Sequence, residues 1–91
     1  SDYAFSLSYK NQFGEVCSSS LVMTNKEFQD YAASCVGKGI CTEEFWDFVA
    51  KFSGMTAENF KVGFLKNNKV SEFISVRAYK MKATFWAELN K

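Results

Sequence analysis

Residues 3–10 alternate strictly, with Tyr3, Phe5, Leu7 and Tyr9 set against Ala4, Ser6, Ser8 and Lys10. A period of two predicts a strand with one buried face. Asn11-Gln12-Phe13-Gly14 follows as a turn in which Gly14 is free to take positive φ. Glu15 to Met23 resumes the alternation, with Cys17, Leu21 and Met23 in phase. The two segments together predict an N-terminal β-hairpin.

The period then lengthens. Thr24-Asn25-Lys26-Glu27 matches a capping box, with Met23 and Phe28 placed as a hydrophobic staple. Phe28, Tyr31, Ala32 and Cys35 recur at helical spacing, and Gly37 or Gly39 ends this first helix. A second helix is predicted from Thr42, with Glu43 and Glu44 in the first turn, where the helix dipole favours anions. Phe45, Phe48, Val49 and Phe52 form its stripe, Trp46 lies at the edge of that stripe, and Gly54 closes the helix.

After Gly54 the two periods compete. As a strand, Phe60, Val62 and Phe64 share a face. As a helix, Val62 lies opposite the other two and Gly63 costs about 1 kcal/mol relative to Ala. The pattern predicts one helical turn at 56–59, a strand at 60–66, a hairpin turn at Asn67-Asn68 and a strand at 70–80. Ile74, Val76 and Ala78 share one phase, and Tyr79, Met81 and Phe85 the other, which places a bulge or bend near 78–79. Residues 84–90 read as a further strand or a short helix. The expected fold is α+β in the order ββααββ: a small, mostly antiparallel sheet of hairpin plus C-terminal strands, with two helices packed on one face.

Composition narrows the function classes. A chain of 91 residues with no low-complexity linker is one domain, residues 1–91. Aromatic residues make up 18% of it, and rings that bury roughly 150–250 Å² each let so short a chain fill a core. The absence of His excludes Ser-His-Asp and Cys-His catalysis and His-ligated metals. No apolar run reaches the length of a membrane span, and Ser1-Asp2-Tyr3-Ala4 does not read as a signal peptide. Cys17, Cys35 and Cys41 give no closed zinc set; they predict three reduced thiols in a cytoplasmic protein, against a Cys35–Cys41 bridge in an oxidising one. Lys outnumbers Arg ten to one and Pro is absent, a bias expected of an AT-rich genome, cellular or viral, or of sampling in a short chain.

Charge divides unevenly. Residues 1–59 carry −4, and residues 60–91 carry +5 through Lys61, Lys66, Lys69, Arg77, Lys80, Lys82 and Lys91 against two acidic residues. Arg77 to Trp86 interleaves cations with rings, as single-stranded nucleic acid binders do. In a strand, however, Tyr79 and Met81 face away from Lys80 and Lys82, which is also the pattern of core and solvent. Gly37-Lys38-Gly39 fails the spacing of a phosphate loop, and Glu43 and Glu44 beside it repel an anion.

These observations predict no enzyme, cofactor or metal. The expected function is that of a small protein-binding domain: an adaptor, inhibitor or accessory factor, and a homodimer held by its open sheet edges, by its complementary acidic and basic parts, or by Trp46 and Trp86. The alternative is a nucleic-acid-binding domain using residues 60–86. The candidate contact residues are Trp46, Lys61, Lys66, Lys69, Arg77, Lys80, Lys82 and Trp86.

Overall fold

The computed structural model describes residues 2–82. The elements are β1 (Tyr3–Asn11), β2 (Val16–Leu21), α1 (Lys26–Cys35), α2 (Thr42–Ala50), α3 (Ala57–Asn67) and β3 (Val70–Lys80). The class is α+β, but the order is ββαααβ: the expected ββααββ is corrected to three strands and three helices. The antiparallel sheet runs β2-β1-β3, with β1 in the middle.

The hairpin forms where the alternation places it, with Phe5 opposite Leu21, Leu7 opposite Ser19 and Tyr9 opposite Cys17. Its turn closes through the Asn11 N–H donating to the Glu15 carbonyl at 3.0 Å and the Gly14 N–H donating to the Asn11 carbonyl at 3.1 Å. Gly14 takes φ 78°, which a side chain would resist. The Asn11 side-chain oxygen also accepts from the N–H groups of Phe13 and Glu15.

Residues 60–66 are helical, and energetics explains the outcome. Thr56 caps α3, its hydroxyl accepting from the Asn59 N–H at 3.1 Å. Helical spacing sends both Phe60 and Phe64 onto Trp46, at ring separations of 6.0 and 5.7 Å. Two rings packed on a third outweigh one exposed valine, Val62, and the cost of Gly63. Asn67-Asn68 ends this helix instead of turning a hairpin: the backbone and side-chain N–H groups of Asn68 both donate to the Phe64 carbonyl. Lys69 then takes φ 51° to reverse the chain into β3.

Two other local expectations shift. The cap of α1 is Asn25, whose side chain accepts from the Phe28 N–H at 2.8 Å; Thr24 lies outside the helix, because Asn is the stronger capping residue. Glu27 does not reach back to Thr24 but pairs with Lys51, whose ammonium sits 4.9 Å from the Phe48 ring centre. The irregularity of β3 lies not at 78–79 but at Ser71 and Ile74, the residues skipped in its pairing with β1. The second bulge turns Phe73 toward the core along with Val76 and Ala78, and leaves Ile74 exposed.

The helices lie on one face of the sheet. Phe5 meets Phe28 of α1 at 5.4 Å and Phe45 of α2 at 4.9 Å. Ala32, Val49, Val76 and Ala78 complete this core. The other face, carrying Ser6, Ser8, Ser18, Ser20, Ser75 and Arg77, has no helix over it among the described residues.

Candidate functional site

Because β1 is central, β2 and β3 each have one side that no other described strand pairs. Such an edge is a template for another strand, and proteins block it with charges, proline or bulges. β3 is blocked: it contains Glu72, Arg77 and Lys80 and both bulges. β2 has none of these devices. Its sequence, Val-Cys-Ser-Ser-Ser-Leu, holds no charge and no proline, and its register with β1 runs from Lys10↔Val16 to Phe5↔Leu21 without a shift.

Register also fixes which backbone groups point outward. The Asn11–Glu15 hydrogen bond makes that pair a bonded one. Bonded pairs alternate along an antiparallel ladder, so Tyr9–Cys17, Leu7–Ser19 and Phe5–Leu21 are bonded too. The N–H and C=O groups of Val16, Ser18 and Ser20 therefore face the open side. The side chains of these three residues are exposed on the helix-free face, whereas Cys17, Ser19 and Leu21 are half-buried.

Two hollows flank this edge. Beneath it, a cleft of about 280 Å³ separates β2 from α3, with Leu7, Leu21, Phe60 and Phe64 in its walls. Gly63 lines the cleft and borders open space, with no atom within 4 Å of where a Cβ would stand. On the outer face a second hollow, about 360 Å³ and mostly apolar, lies at the Leu21 end of β2 among Ala4, Ser20, Val22, Tyr79 and Met81. The Tyr79 and Ser20 hydroxyls share a hydrogen bond of 3.1 Å across β1 at its border. At the opposite end of β2 stand Phe13 and Val16, 75% and 70% exposed, the most exposed of the large apolar side chains described.

Of the residues singled out from sequence, Lys80 and Lys82 come together at the border of the outer hollow, and the others are scattered. Trp46 is 3% exposed, packed against Phe45, Phe60, Phe64 and Phe73, so it is a core residue and not a surface anchor. Its indole N–H has no hydrogen-bond partner among the described residues. Lys61 lines a shallow groove between α2 and α3 with Glu43, Asp47 and Glu58. Lys66 and Lys69 are exposed at the end of α3, while Lys80 is at the far end of β3, roughly 33 Å from its start at 3.3 Å per residue. Arg77 shares the outer face with Ser6, and Lys82 borders the outer hollow. Trp86, with the expectation for residues 84–90, lies outside the described residues.

Cys17, Cys35 and Cys41 are all free thiols. The Tyr31 hydroxyl is pushed up to about 12, by burial first and then by Cys35, Glu44 and Cys41 around it. Among the described residues no three Cys, Asp or Glu side chains gather as metal ligands, and no helix is long and apolar enough to cross a membrane.

Sequence reasoning did not single out Phe13, Val16, Ser18 and Ser20. The uncharged run from Val16 to Leu21 was a visible signal of an unprotected strand. Comparisons with protein families, curated proteins and solved structures find no match to this chain.

Proposed function

We propose that this is a non-enzymatic domain that binds another protein by accepting one of its strands along β2. The observation that carries the reading is the unblocked edge, with the outward backbone groups of Val16, Ser18 and Ser20 lying above an apolar cleft. Main-chain pairing supplies the affinity in such contacts, and alternate side chains of the added strand enter pockets beneath. The cleft between β2 and α3 is placed to receive those side chains. The three free cysteines support a reducing, cytoplasmic setting.

The nucleic-acid reading has less support. Its cations are spread over the end of α3, the outer sheet face and both ends of β3. Capture from an extract of the source cells separates the two readings. The proposal expects a captured protein that survives nuclease and high salt and is lost with Ser18→Pro. Capture that nuclease or salt abolishes, or that Ser18→Pro leaves intact, overturns it.

A further inference from the structure

We infer that a second copy of this chain occupies the β2 edge, forming a two-fold dimer with one continuous sheet. The inference rests on the reading of β2 as a docking edge and names its occupant.

Of the antiparallel self-pairings that match the two faces, the one centred on Ser18 pairs all three outward residues of β2. The outward groups belong to Val16, Ser18 and Ser20, so these must form the bonded pairs if the faces of the two sheets are to match. With the axis at Ser18, Ser18 faces its own copy and Val16 faces Ser20 of the second copy, each pair exchanging two main-chain hydrogen bonds. Cys17 then lies opposite Ser19 of the second copy, both on the helix side. No charged side chain of β2 opposes its like, because β2 has none.

The side chains at the two ends of β2 make the case for a second copy over an unrelated strand. The apolar projection, Phe13 and Val16, is at one end, and the apolar hollow bordered by Ser20 and Val22 is at the other. Antiparallel pairing brings each end of one strand to the opposite end of its partner. It sets Val16 beside Ser20 and diagonal to Val22 of the second copy, on the outer face where that hollow opens. The two-fold axis repeats this contact, so Val16 and the hollow of both copies are used at once. An unrelated strand pairing with this edge would satisfy the backbone, but no symmetry would require its side chains to match both Val16 and the hollow.

Sedimentation in the micromolar range tests the inference on the full chain, with Val16→Lys and Ser18→Pro as variants and far-ultraviolet circular dichroism confirming their fold. Val16 is exposed, and the Ser18 N–H is not used in the β1 ladder, so both substitutions are compatible with the monomer fold. The expected result is a species of about twice 10.3 kDa that is unaffected by salt, and monomers for both variants. A wild-type monomer at every concentration overturns the inference, as does a dimer that survives Val16→Lys or dissociates as salt rises. A wild-type monomer whose capture of another protein is lost with Ser18→Pro overturns the second copy and leaves strand addition standing. A dimer of the expected behaviour that captures nothing upholds the inference while the wider binding reading fails.

Discussion

Trp46 gives the sharpest contrast between a surface anchor and a core residue. Truncation to Ala removes a ring that is 3% exposed and faces four others at 5.1 to 6.0 Å. Removing a buried aromatic ring costs about 3–5 kcal/mol in transfer and cavity terms. A 91-residue domain at roughly 0.05–0.15 kcal/mol per residue has about 5–14 kcal/mol in total, so Trp46→Ala takes a large share of it. Trp46→Phe separates ring from N–H. It retains most of the apolar contact and removes a buried donor that has no described partner, relieving a penalty of about 1–3 kcal/mol that offsets the smaller ring. The expected order is Trp46→Phe within about 1.5 kcal/mol of wild type and Trp46→Ala at least about 3 kcal/mol below it. Urea unfolding followed by far-ultraviolet circular dichroism measures both. A Trp46→Ala midpoint close to wild type, with unchanged slope, refutes the placement of Trp46 at the meeting of α2, α3 and β3.

Gly63→Ala is expected to stabilise by about 0.5–1 kcal/mol, since a helix-interior glycine gains from a Cβ and this one meets open space; a lowered urea midpoint contradicts it. Asn25→Ala is expected to cost about 1 kcal/mol and Thr24→Ala less than about 0.5 kcal/mol, and equal losses in paired urea titrations place the cap wrongly. Tyr31 is expected to lose its proton near pH 12, well after a normal phenol, by ultraviolet difference absorbance. Its folded-state value is raised, so its contribution to stability is complete below pH 10 and is lost as pH rises from about 10 to about 12; an early phenolic transition from Tyr31 refutes the burial.

The parts of the fold legible in the sequence are those fixed by local pattern. The period of two in residues 3–10 and a glycine at the required turn position specify the hairpin, and helical spacing specifies α1 and α2. The segment from Phe60 to Phe64 is not legible in the same way, because Phe60 and Phe64 fit either period and Val62 decides only if it is buried. The choice was made by Trp46, distant in sequence. That omission explains a second one: without α3, one flank of α2 has no neighbour, and Trp46 reads as lying at an edge. With α3 in place, the Phe45 and Trp46 sides of α2 are both covered. In β3, the bulge at Ile74 reverses the phase that simple alternation assigns, so Phe73 and Ile74 exchange faces. The candidate basic surface is divided for a related reason: Lys66 and Lys69 precede β3, while Arg77, Lys80 and Lys82 lie at its far end, Lys80 and Lys82 together at the outer hollow. The uncharged character of β2 was readable; that its outer side is the open one depends on β3 pairing with β1.

Backbone amide exchange resolved by residue along β2 tests the docking edge most directly. In the isolated monomer the N–H groups of Val16, Ser18 and Ser20 face outward, while those of Cys17, Ser19 and Leu21 are held by β1. Strand addition predicts that raising the protein concentration, or adding a captured partner, slows exchange at Val16, Ser18 and Ser20 in step. Exchange at those three positions that stays at the free-peptide rate when the protein is fully bound contradicts the account.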